Sequence, residues 1–199
     1  MEEALTLVLA YFIGSVPVTW LIFHWRTGKD LRSVGDGNVG SANAMREGVG
    51  WWLGRIALLL DVGKGLLAVS IARWLDLDHG WWMGAGYLVM IGHMFPVWLR
   101  FNGGRAAATA MGASGAFLPW QFGVTMATGG TAFLLFRIAE LGIVLVIAPL
   151  PFIAIAFEAS AETIAFCFSA PIVAGAKAGL DRWLRERSVR QTLPTENPA

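Results

Sequence analysis

Seven apolar stretches, separated by short gaps that hold most of the charge, run through this 199-residue chain. They cover residues 5–25, 52–75, 81–99, 106–118, 122–136, 141–157 and 164–178. A hydrocarbon core about 30 Å thick needs roughly 20 mostly apolar residues per helix. The pattern therefore predicts an all-α polytopic membrane protein of about seven transmembrane helices. The fourth and fifth stretches are short, the length of partly buried or re-entrant segments rather than full spans. Only 15% of residues are charged, against about a quarter in a soluble domain. Little chain is left for a soluble unit, so the expected organisation is one transmembrane domain over 1–181 and a cytoplasmic basic tail over 182–199.

The placement of cations sets the expected orientation. Arg26, Lys29, Arg32, Arg46 and Arg55 fall in or beside the first gap, Arg100 and Arg105 in the third and Arg137 in the fifth, while Arg182, Arg185, Arg187 and Arg190 follow the last stretch. The alternate gaps hold Arg73 with Asp76 and Asp78, then no charge, then Glu158 and Glu162. Arg/Lys-rich gaps stay on the cytoplasmic side, which puts the N-terminus outside and the C-terminus inside a bacterial inner membrane. The start, Met1-Glu2-Glu3, is acidic where a secretory leader is basic, so residues 5–25 read as a retained helix. A net charge of +1 leaves no electrostatic footprint for nucleic acid. The single Cys167 has no disulfide partner, and no His, Cys and carboxylate cluster has metal-ligand spacing, so no metal or cofactor is expected.

Two glycine-rich loops on the predicted cytoplasmic face carry the chemistry. The first runs from Gly35 through Asp36, Gly37, Asn38, Val39, Gly40, Ser41, Ala42 and Asn43 to Arg46. Glycines at this density let backbone N–H groups converge on an anion, and Arg46 can hold a phosphate through two parallel hydrogen bonds. The second reads Asn102-Gly103-Gly104-Arg105-Ala106-Ala107-Ala108-Thr109, a turn, a cation and a helix start, which is the form of an anion site. Either loop alone also reads as a plain turn. Neither has P-loop spacing, which argues against nucleotide hydrolysis.

Within the second stretch, Asp61 and Lys64 stand three residues apart on one helix face. Ionisable groups at that depth suggest function, and equally a structural ion pair with Gly63 and Gly65 allowing close helix approach. His93 is open to both readings too. Gly14-Ser15-Val16-Pro17 and Gly92-His93-Met94-Phe95-Pro96 form a weak internal echo, each ahead of a glycine-rich loop.

Taken in order, Gly14 to Pro17, Gly35 to Arg46, Asp61 to Gly65 and Gly92 to Thr109 resemble the integral-membrane acyl-phosphate:glycerol-3-phosphate acyltransferases of bacterial phospholipid synthesis. The resemblance covers about the first 110 residues. It implies seven helices with an external N-terminus, and transfer of a fatty acyl group from acyl phosphate to glycerol 3-phosphate without metal or carrier protein. The partners expected are those two substrates and membrane lipids. Asp36, Arg46 and Arg105 are the expected catalytic positions. Gly37, Asn38, Gly40, Ser41, Asn43, Lys64, His93, Gly103, Gly104 and Thr109 are expected around the substrates.

The chain departs from the resembled pattern at several points. Asp36 stands for Ser, Arg105 for Lys and Ala106 for Gly, while Ala176 and Gly179 stand for a His and an Asn. A catalytically silent or acceptor-altered relative is the alternative reading. A small transporter fits composition alone, but the polar glycine-rich segments lie at the membrane edge rather than its midplane.

Overall fold

A computed structural model describes residues 1–192, with side chains through Arg187. Among the described residues there are ten α-helices and no strand. Helix α1 (Glu2–Ser15) stops before Val16-Pro17, because proline has no N–H to give and its ring crowds the preceding turn. Helix α2 (Val18–Thr27) resumes at once, so Glu2–Thr27 forms one interrupted 26-residue stretch. The short α3 (Ser41–Arg46) lies inside the first glycine-rich loop. Helix α4 (Trp51–Trp74) follows, 24 residues and roughly 36 Å at 1.5 Å per residue.

Helix α5 (His79–Met94) ends at Phe95-Pro96 and passes through a 3₁₀ turn at Val97–Leu99 into the second loop. Helices α6 (Ala107–Phe117), α7 (Pro119–Phe136), α8 (Ala139–Ile147), α9 (Leu150–Ala156) and α10 (Ala161–Thr192) complete the chain. The expected tail at 182–199 is thus helical as far as Thr192, and 193–199 lie outside the described residues.

Among the described residues four stretches are long and apolar enough to cross a membrane: Glu2–Thr27, His79–Leu99, Ala139–Ala156 and Ala161–Arg187. Helix α4 has the length, but Arg55, Asp61, Lys64 and Arg73 interrupt its apolar character. Helix α6 has 11 residues, about 16 Å, and every one from Thr109 to Phe117 is buried. It is a core helix, wrapped by its neighbours and short of the roughly 30 Å hydrocarbon thickness. The protein is all-α and polytopic, with α6 at its centre.

Two glycine seams set how closely the helices approach. A Cβ on Gly112 would collide with the Val62 carbonyl, and one on Gly65 with the Thr109 carbonyl, so α4 and α6 touch backbone to backbone. Gly14 against Val89 and Gly92 against Tyr11 do the same for α1 and α5. Small residues at membrane helix contacts allow this approach, since lipid supplies no hydrophobic drive between helices. The second seam explains the internal echo: both copies are helix breaks, and they lie side by side. Ser15 Oγ accepts from the Val97 N–H at 3.1 Å, and Tyr11 donates to the Phe95 carbonyl at 3.0 Å.

A methyl at Gly112 forces α4 and α6 apart, whereas Gly63 faces open space on the same α4. Gly112→Ala is expected to destabilise the protein by about 2 kcal/mol in detergent unfolding, with Gly63→Ala neutral or slightly stabilising. Equal effects of the two substitutions would contradict the seam.

Candidate active site

The site rests on a polar cluster inside the helix bundle. Lys64 and Asp61 are 7% and 2% exposed and pair at 2.8 Å. The interruption between α1 and α2 supplies the remaining oxygens. Val18 N–H turns back to the Val16 carbonyl at 2.9 Å, leaving the Gly14 carbonyl without its helical donor. Lys64 Nζ donates to Gly14 O at 3.2 Å and Val16 O at 2.9 Å, a cation at the negative end of α1. Asp61 accepts from Thr19 Oγ1 of α2 at 2.6 Å. His93 Nδ1 lies 3.2 Å from Lys64 Nζ. An ammonium can only donate, so Nδ1 accepts and the ring proton sits on Nε2. That Nε2 edge packs where a Cβ of Gly104 would be. A buried pair thereby connects α4, both halves of the broken helix, α5 and the second loop.

Above this cluster, the first loop winds around Asn43. Its side chain is fully buried, donating to Val34 O at 3.2 Å and Asn38 O at 3.1 Å and accepting from the Asp36 N–H at 3.2 Å. Gly35 and Gly37 hold φ of 56° and 62°, and a Cβ on Gly35 would meet the Asn43 amide oxygen. The chain needs glycine there to turn about that amide. Asp30 pins the loop base. Its hydrogen bonds from Arg32 hold the carboxyl well below the usual carboxylate range, with Trp20 adding a donor at 2.9 Å. Arg32 also donates to the Leu99 carbonyl at 3.0 Å, tying the first loop to the second. The second loop folds back on the end of α5, with Gly103 N–H to Met94 O and Gly104 N–H to His93 O, both 3.1 Å. Ala106, where the resemblance expects glycine, sits at φ 59° and is buried.

The two loops meet in a row of alternating charge. Glu140 of α8 pairs with Arg46 at 2.7 Å, and Arg46 lies 3.5 Å from Asp36. Asp36 pairs with Arg105 at 3.0 Å, Arg105 lies 4.0 Å from Asp181, and Asp181 pairs with Lys177 on α10. Asp36 thus bridges two guanidinium groups with one carboxylate oxygen. Asp36, Arg105, Arg182, Arg185 and Glu186 line a cavity of about 610 Å³, together with Gly35, Ala178 and Gly179. Nothing lies within 4 Å of where a Cβ on Gly179 would stand, so the absent side chain leaves open space. Arg105 also lines a second, apolar cavity of about 570 Å³ between α8, α9 and α10, bounded by Ile147, Phe152, Phe168 and Pro171 among others.

The expected site residues divide by position. Asp36, Arg46 and Arg105 come together in the charged row. Gly37 and Gly103 line a neighbouring pocket with Arg32, Asn102, Asp181 and Arg185. Asn38 donates its N–H to the Asp36 carboxylate at 3.2 Å, and its side-chain oxygen is buried without a partner. Gly40 leads into α3 and Ser41 starts it, buried. Asn43, Lys64 and His93 stand behind the loops with their polar atoms engaged, and Thr109 is buried at the α4 contact. Glu140, Lys177 and Asp181 were not among the expected residues. The available signal was the Lys177/Asp181 spacing of four on the last helix.

Known proteins resemble this chain in sequence and in fold. The family model described as glycerol-3-phosphate acyltransferase matches residues 4–185. A glycerol-3-phosphate acyltransferase of Endomicrobium trichonymphae is 30% identical over 167 residues, 84% of this chain and 83% of that one. One from Prochlorococcus marinus is 46% identical over 102 residues, 51% of this chain and 50% of that one. Glycerol-3-phosphate acyltransferase 2 of Dehalococcoides mccartyi is 42% identical over 115 residues, 58% and 54%. The chain thus spans about half the length of these last two relatives. The crystal structure of PlsY, an integral membrane glycerol 3-phosphate acyltransferase, in its glycerol 3-phosphate form superposes with a TM-score of 0.78 at 25% identity, covering 94% of both chains. With the family model matching nearly the whole described chain, this protein belongs to the glycerol-3-phosphate acyltransferase family.

Proposed function

We propose that the chain transfers a fatty acyl group from an acyl phosphate to glycerol 3-phosphate, giving lysophosphatidic acid and inorganic phosphate. The observation that carries this reading is Arg105, which lines both the polar cavity and the apolar one. Acyl phosphate has a phosphate joined to a long apolar chain, and the junction of two such cavities at a guanidinium matches that shape. The names of the relatives support the acceptor. The cationic gaps support a cytoplasmic site, an external N-terminus and a location in the bacterial inner membrane.

An acyl phosphate is already activated, so the chain's task is to align two anions and offset their repulsion. Arg46 and Arg105 each hold phosphate oxygens, and Arg182 and Arg185 leave the polar cavity with more cations than carboxylates. Asp36 occupies the position between the two guanidinium groups that a phosphate would take. When phosphate displaces it, the freed carboxylate accepts the proton of the attacking glycerol hydroxyl. The hydroxyl oxygen bonds to the acyl carbon, the bond from that carbon to the phosphate oxygen breaks, and the proton passes on to the leaving phosphate.

The test uses purified protein in detergent with palmitoyl phosphate and labelled glycerol 3-phosphate. Labelled lysophosphatidic acid and inorganic phosphate should appear in equal amounts; folded protein that forms neither would reject the proposal. Arg46→Ala and Arg105→Ala should each lower kcat/KM by about a hundredfold to a thousandfold with circular dichroism unchanged. Asp36→Ser separates its two effects. It removes a carboxylate that competes with phosphate, so KM for palmitoyl phosphate falls, while kcat drops by about a hundredfold with the lost proton acceptor. A rise in kcat would show that Asp36 takes no part in the chemical step.

A further inference from the structure

Two more guanidinium groups lie on the membrane face that carries the arginine row, away from the cavities described above. Arg55, in the second turn of α4, has Cζ 4.7 Å from the Trp52 ring centroid and 5.5 Å from that of Trp51. Arg137, at the end of α7, lies over Trp51 at 5.5 Å. Trp51 packs against Phe133 at 4.8 Å, which fixes this platform to the helix bundle. Among the described residues neither arginine forms an ion pair with a carboxylate. Glu140, three residues beyond Arg137, is engaged with Arg46 at 2.7 Å.

Beside Arg55, a cavity of about 160 Å³ lies between α4, α6, α7 and α8. Leu59, Met111, Met126, Gly130 and Leu134 give it apolar walls. Leu59 and Leu134 are 58% and 50% exposed, so the rim faces the lipid side of the helices. Arg55 at the edge of an apolar slot, with Arg137 over the same Trp51 ring and neither paired with a carboxylate among the described residues, suits an amphipathic anion. A zwitterionic headgroup would bring its own cation to a place whose nearby carboxylate is taken.

We propose that this is a binding site for one anionic glycerophospholipid of the bilayer, its phosphate held by Arg55 and Arg137 and one acyl chain in the slot. Helix α8 lies between it and the apolar cavity that Arg105 lines, with Ile143 on the wall of both; its two arginines belong to neither substrate cavity, so it does not rest on the acyl-transfer reading.

Native mass spectrometry of the full chain, with dioleoylphosphatidylglycerol or dioleoylphosphatidylcholine added in detergent, tests it. The wild type should retain one phosphatidylglycerol at least tenfold more readily than phosphatidylcholine. The double variant Arg55→Gln, Arg137→Gln should lose that preference. Gly130→Leu fills the slot from a position where an added Cβ meets nothing within 4 Å, and should lower phosphatidylglycerol retention tenfold with both arginines in place. Equal retention of the two lipids by the wild type would overturn the proposal. So would unchanged phosphatidylglycerol binding in either variant: the arginine variant would show that the headgroup is not held there, and Gly130→Leu that the chain does not enter the slot.

Discussion

An ammonium group enclosed by helices must be surrounded by acceptors, and in this protein they come from a helix that is broken to provide them. Lys64 draws on the Gly14 and Val16 carbonyls, the Asp61 carboxylate and the His93 ring. Breaking one member of a buried pair typically costs about 3–5 kcal/mol, because the survivor is left uncompensated. The break at Val16-Pro17, the glycine seam that brings α1 against α5, and the entry of His93 beneath Gly104 are therefore parts of one solution. Each loop leaves the bundle from a backbone fixed by this cluster: the first follows α2, whose Thr19 binds Asp61, and the second follows α5.

The charged row at the surface obeys different energetics. Arg46 and Glu140 are half exposed, and Asp36 and Arg105 about a third. Pairs at such exposure contribute about 0–1 kcal/mol each, so the row adds little to stability and can exchange its partners for a substrate at small cost. The buried pair holds position and the exposed row stays replaceable. That division suits the proposed reaction, in which two phosphate-bearing substrates enter and one free phosphate leaves.

The loops were legible in the sequence because glycine, asparagine and arginine at short spacing have few local uses. The Gly-x-x-Pro and Gly-x-x-x-Pro segments were visible only as a weak echo; residues 5–25 read as one helix, and neither the break at Pro17 nor the packing of the two segments against each other was legible. Asp61 and Lys64 could be paired from helical spacing alone, but the oxygens that complete the cluster lie 48 and 50 residues away. Distance in the chain also hid Glu140, which meets Arg46 across 94 residues, and Asp181, which reaches the second loop from the last helix. Asn43 read as a substrate donor, whereas its amide is spent on the loop's own backbone. The length of the fourth apolar stretch signalled a departure from a full span; only packing reveals that α6 is enclosed.

In the proposed reaction Arg46 and Arg105 close on one substrate phosphate in place of Asp36. Solid-state NMR of lipid-reconstituted protein, with ¹⁵N-labelled arginine and bound palmitoyl phosphate, measures it directly through phosphorus–nitrogen dipolar couplings. One phosphorus should couple to two guanidinium groups, with one coupling lost in Arg46→Lys and the other in Arg105→Lys. A bound phosphate coupled to neither side chain would contradict it.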